Sequence, residues 1–133
     1  MINFLKGDLV DENILEKIQR EFIHGKKFDE QWQLLGFNDD DLKELQSILL
    51  TNPKVGSVIQ GTGRLRKMRY ARRNRGKSHS ARVCYVDFEI YGKIFLVMVF
   101  AKSEMENLSN AEKNTIKTMI ERIEKYFEGT YKK

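Results

Sequence analysis

A chain of 133 residues, 41 % apolar and with eight Phe, has the size and apolar content for one domain around one core. Its longest uninterrupted apolar run, residues 94–101, falls far short of the roughly 20 residues a membrane-crossing helix needs, and its start lacks the pattern of a secretory signal. Cys84 is alone, which excludes an internal disulfide and a Cys-based metal cluster, so a cytoplasmic protein is the simplest expectation.

Residues 11–18 can form a short helix with Ile14 and Ile18 on one side. Residues 20–24 read as a brief strand through Phe22 and Ile23, ended by Gly25. Phe28, Trp32 and Leu35 then recur at helical spacing until Gly36. A stronger helix follows, capped by Asn38 or Asp39, with Leu42, Leu45, Ile48 and Leu49 on one face up to Asn52-Pro53. The two helices suggest an antiparallel hairpin. Asp39, Asp40 and Asp41 read as helix-start carboxylates favoured by the dipole rather than as a metal site.

Residues 53–63 read as loop, and their GTG is too short and too poorly placed to be a nucleotide-binding loop. In 67–71, Met68 and Tyr70 point one way and Lys67 and Arg69 the other, so two cations stand side by side on an exposed strand face. Residues 72–80 read as a flexible basic loop. Strands follow over 82–88 and 94–102, split by a turn near Tyr91-Gly92, and the second is apolar enough on both faces to lie mid-sheet. Ser109 and Glu112 form a capping box, after which Ile116, Met119, Ile120, Ile123 and Phe127 mark one apolar helix stripe. The fold class expected is therefore α+β: one small domain, a twisted, mainly antiparallel sheet packed against an N-terminal helical hairpin and a C-terminal helix.

Charge is the feature that points to function. The net charge is +5, but residues 64–82 hold nine Lys or Arg and no Asp or Glu; taking those nine from the 24 basic residues leaves 15 against 19 carboxylates. A segregated cluster of this density is the footprint of a phosphate-binding site. Other chemistries have little to work with. His24 and His79 are far apart and Cys84 sits in an apolar strand, so neither a metal centre nor a thiol nucleophile is expected. Glu104 and Glu106 lie in a loop, where carboxylates are usually solvated. No cofactor is implied.

The run NPKVGSVIQGTGRLRKMRYARRNRGKSHSARVCYVDF, then IFLVMVFAKSEMENLSNAEK and a helix, resembles the RelE toxin superfamily in its HigB-type branch. The resemblance runs from about Arg20 to Phe127, taking in REFI, KKFDEQW and DDDLKELQ, and leaves residues 1–19 as an N-terminal extension to a toxin domain over 20–133. It implies the toxin of a type II toxin–antitoxin system, an mRNA interferase acting at the ribosome by metal-free attack of a 2′-OH on the adjacent phosphate. It also implies an antitoxin partner of helix-turn-helix type, through which alone operator DNA would be bound.

By position, the resemblance makes Lys67, Arg69, Arg82 and Lys102 catalytic, with Arg82 and Arg69 on the phosphate and Lys67 or His79 handling the attacking proton. Arg64, Arg66, Arg72, Arg73, Arg75 and Lys77 are the RNA-binding set it implies. His79-Ser80 replaces the usual Gly-Gly of the branch, and the Tyr that some members carry near Leu108 and Ser109 is missing, which leaves the general base open. Two other readings remain: a nucleic-acid or ribosome binder that does not cut, and a ParE-like toxin that inhibits a topoisomerase by contact.

Overall fold

The structure is a computed structural model that describes residues 20–72, 80–101 and 108–131. Strand β1 (Glu21–His24) is followed by helices α1 (Lys26–Leu34) and α2 (Asp39–Thr51). Then come β2 (Ser57–Val58), β3 (Arg66–Ala71), β4 (Ser80–Phe88), a 3-10 turn (Glu89–Tyr91), β5 (Lys93–Ala101) and α3 (Asn110–Tyr131). The strands form one five-stranded sheet in the order β1-β5-β4-β3-β2. The sheet is mixed: β1 runs parallel to β5, and the other three ladders are antiparallel. The expected short helix over 11–18 lies outside the described residues.

Both faces of the sheet are covered, and this explains the sequence of β4 and β5. On one side Tyr70, Val83, Tyr85, Ile94, Leu96 and Val99 pack with Phe28, Trp32, Leu45 and Leu49 of α1 and α2. On the other, Leu65, Cys84, Val86, Phe88 and Phe100 pack with Ile116, Ile120 and Phe127 of α3. Alternate residues of β4 therefore serve opposite cores, so the strand is apolar without interruption from Val83 to Val86. Each large side chain so buried stabilises the fold by roughly 1.5–3 kcal/mol relative to exposure. β5, expected to lie mid-sheet, is an interior strand paired with β1 on one edge and β4 on the other, and β4 is the central strand of the five. A register shift at Cys84/Tyr85 pairs Cys84 with Met98 and Tyr85 with Leu96, and both Val97 and Met98 then pack on the α3 side.

The helix signals are local and form as read. Asn38 accepts from the Asp41 amide at 2.9 Å while the Asp41 carboxylate accepts from the Asn38 amide at 2.8 Å, closing the start of α2. Ser109 and Glu112 make the same reciprocal pair at α3, at 2.9 and 3.1 Å. The hairpin expectation holds in part: α1 and α2 are consecutive across a tight turn at Gly36, but each turns its apolar side to the sheet, and Trp32 packs on Phe37 and Tyr70. The loop expected over 53–63 contains β2, which pairs with the start of β3. Among the described residues no helix is long and apolar enough to cross a membrane.

Candidate functional site: a cationic face on two strands

The basic run divides by strand geometry into cations with structural partners and cations without. Arg66 donates to the carbonyl of Gly56 at 2.6 Å and to that of Lys54 at 3.3 Å, which ties the start of β3 to the segment before β2. Arg72 grips both carboxylate oxygens of Asp41, at 2.6 to 3.0 Å, donates to the Gly36 carbonyl at 2.6 Å and lies over the Phe37 ring. Hydrogen bonding to Asp41 raises the Arg72 pKa. Arg64 lies over the Phe88 ring and forms a 2.8 Å ion pair with Glu124 of α3, close in distance but without hydrogen-bond alignment. These three arginines hold parts of the fold together.

Lys67, Arg69 and Arg82 are different. None has a hydrogen-bond or ion-pair partner among the described residues. Arg69 of β3 sits directly opposite Arg82 of β4, and Lys67 directly opposite Cys84. Residues so paired have Cβ atoms roughly 4.5–5.5 Å apart, and like charges there are destabilising. Nη1 of Arg82 is moreover buried with no hydrogen-bond partner among the described residues, and buried polar groups are as a rule hydrogen-bonded. Three cations without counter-ions among the described residues, on one face of the sheet, suit a compact anion such as a phosphodiester, which offers several acceptor oxygens.

Neighbouring groups are not suited to covalent chemistry. Burial pushes the Cys84 thiol up to about 12, against a smaller opposing effect of the Lys67 charge, so it is a neutral core side chain. Tyr70 donates to Glu44 at 2.8 Å on the opposite side of the sheet, and burial together with that carboxylate raises its pKa strongly. Asp41 is committed to Arg72 and to its own helix cap, as the helix-start reading of the three aspartates requires. No group of three His, Cys, Asp or Glu suited to a metal ion occurs among the described residues. His24 lies near α1 with its ring nitrogens against Asp29 at 3.0 Å and Gln46 at 3.4 Å.

His79, Lys102, Arg73, Arg75 and Lys77 lie outside the described residues. Of the other six cations singled out from the sequence, the structure brings Lys67, Arg69 and Arg82 together and gives Arg64, Arg66 and Arg72 structural partners. Sequence reasoning missed the support beneath them. Tyr85 donates to the Pro53 carbonyl at 2.8 Å and accepts from the Gly56 amide at 2.9 Å, pinning the segment that leads to β2. Gly56 has no room for a side chain: a Cβ there would lie 2.9 Å from the Tyr85 ring and 3.0 Å from the Lys67 carbonyl. A lone Gly two residues before a valine carries no signal of this in sequence.

Fold and face together define a class, a small α+β domain that presents unpaired cations from two neighbouring strands. A family model described as the RelE toxin of the RelE/RelB toxin–antitoxin system matches residues 54–132, which is more than half of the chain, and the chain belongs to that family. It is thus a RelE-like toxin of a toxin–antitoxin system, with an antitoxin implied as its partner. The matched segment begins just before β2 and contains Lys67, Arg69 and Arg82.

Proposed function

We propose that this toxin is an endoribonuclease of the HigB-type branch that cuts translated mRNA, with Arg69 and Arg82 on the scissile phosphate. The observation that carries the reading is the cross-strand Arg69–Arg82 pair, unneutralised and with one guanidinium nitrogen buried and unsatisfied. In the reaction the ribose 2′-OH attacks the adjacent phosphorus and gives up its proton to a base. The P–O5′ bond then breaks as O5′ takes a proton, leaving a 2′,3′-cyclic phosphate and a 5′-OH end. Charge that grows on the phosphorane oxygens is met by donors already in place, which is where enzymes gain most. The route needs no metal ion.

Lys67 flanks the arginine pair diagonally and is the proton carrier among the described residues, with His79 and Lys102 as its partners in acid–base work. Placing a single-stranded message against a shallow face demands an external scaffold, and a ribosomal A site supplies one; the antitoxin, of helix-turn-helix type, would silence the toxin in the cytoplasm and bring operator DNA to the complex. Primer extension on an mRNA translated in a cell-free extract tests the reading. Wild type should create new 5′ ends, and Arg82→Ala and Lys67→Ala should lower them by roughly 10²–10³-fold. Binding to message or ribosome without new ends would make the protein a non-cutting binder and end the nuclease reading.

A further inference from the structure

The GTG of residues 61–63 finds no use in the reaction just described, yet the structure gives it a specific neighbour. The turn from Ile59 to Leu65 is closed by its own hydrogen bonds: Ile59 donates its amide to the Leu65 carbonyl at 2.8 Å. The buried Thr62 hydroxyl donates to the Ile59 carbonyl at 2.6 Å and accepts from the Leu65 amide at 3.2 Å. Gly61 and Gly63 both have positive φ, 91° and 86°, as such a turn requires. A Cβ on Gly61 would come within 3.2 Å of Cδ of Lys113, and one on Gly63 within 3.7 Å of Cγ of Lys117. The turn is thus a rigid shelf along which two lysines of α3 lie.

Those lysines are electrostatically out of place in the free protein. They are one turn apart on one helix side, where like charges repel, and Lys113 sits in the first turn of α3, at the positive end of its dipole. Neither has an ion-pair partner among the described residues. Of the described carboxylates on α3, Glu112 is engaged with Ser109 and Glu124 with Arg64, and Glu121 forms no ion pair with Lys117. Packing and strand pairing link them to the cationic strand face. Ile116, between them, packs in one cluster with Cys84 and Leu65, and Cys84 is the cross-strand partner of Lys67. From Ser57, the β2 partner of Lys67, the chain needs only four residues to reach Gly61.

We infer that Lys113 and Lys117 form a second phosphate-contacting row, held beside Lys67 by the 61–63 turn, which takes the RNA backbone next to the scissile linkage. The inference rests on the phosphate reading of Arg69 and Arg82 and extends it. The row contacts backbone only, so it contributes affinity and register but no base preference.

The test is a salt series of binding isotherms by fluorescence anisotropy, with a short single-stranded RNA made uncleavable by 2′-O-methylation. Full-length wild type is compared with Lys113→Ala/Lys117→Ala and Lys113→Arg/Lys117→Arg, each checked for folding by thermal melt; alanine is the best helix former, so α3 is retained. Two lost phosphate contacts should reduce the slope of log K against log salt by ~1.4 and weaken binding roughly 10- to 30-fold at 0.1 M salt, while the arginine pair keeps both near wild type. Wild-type slope and affinity in the alanine pair, or a loss in the arginine pair as deep as in the alanine pair, would overturn the second row and leave the Arg69–Arg82 reading standing. Absence of salt-dependent binding in wild type itself would overturn both.

Discussion

Replacing Arg69 by Gln should make the protein more stable and less active at once. The two guanidinium groups of Arg69 and Arg82 extend from directly opposed positions on β3 and β4, and neither has an ion-pair partner among the described residues. At roughly 5–7 Å in water, two unit charges repel by about 0.6–0.8 kcal/mol, in line with the range of roughly 0.2–1 kcal/mol for cross-strand pairs. Glutamine keeps the stem and a polar tip, so packing and strand propensity change little. For a chain of 133 residues the entropy of unfolding is about 0.28 kcal/mol/K, and relief of about 0.5–1 kcal/mol should raise Tm by about 2–4 °C. Salt screens such a pair, with a Debye length of about 10 Å at 0.1 M, so the gain should shrink as salt rises. Calorimetry of both proteins at low and high salt measures it, alongside RNA binding. A lower Tm for Arg69→Gln at low salt, or a gain that does not respond to salt, would refute the claim that the pair is unneutralised in the free protein.

Further outcomes follow from the same geometry. Tyr85→Phe leaves the Gly56 amide and the Pro53 carbonyl without their partner. At about 1–1.5 kcal/mol for each lost bond the cost is about 2–3 kcal/mol, read as a drop in Tm of about 7–11 °C. Arg72→Ala should lower Tm by breaking the clamp on Asp41 and Gly36, yet leave the salt slope of RNA binding at its wild-type value; a reduced slope would return Arg72 to the phosphate-binding set. The Glu112 carboxyl is held below its ordinary range, chiefly by the Ser109 amide and then by the Ser109 side chain. A depressed folded pKa contributes stability above the unfolded value that is lost as pH falls through the folded one. The Tm gap between wild type and Glu112→Gln should therefore be widest near neutrality and close in acid; a gap independent of pH would show that the cap does not depend on the charge.

What the sequence revealed depended on how far apart the deciding residues lie. The caps at Asn38 and Ser109, the apolar stripe of α3 and the alternation of Lys67 and Arg69 with Met68 and Tyr70 are settled within a few positions, and all were readable. The fate of each arginine was not. Arg64, Arg66, Arg69, Arg72 and Arg82 look alike in a basic run, but Arg72 meets Asp41 from 31 residues away and Arg64 meets a glutamate near the far end of the chain. Charge counting therefore located the cluster and overestimated its free part. β2 was hidden because it is two residues long, and the parallel β1 edge because no local pattern announces which strand it joins. GTG read as punctuation because its reason is the pair of lysine stems on α3, about fifty positions later.

The central claim is that Arg69 and Arg82 hold the phosphate that a neighbouring 2′-OH attacks. It is met most directly by cleavage on programmed ribosomes, comparing a natural message with one carrying a single 2′-deoxy ribose at the mapped cut, for wild type and for Arg69→Gln/Arg82→Gln. Wild type should cut the first message and not the second while still binding both, and the double variant should neither bind tightly nor cut. Cleavage at the deoxy position, or cutting by the double variant at the wild-type rate, would contradict it.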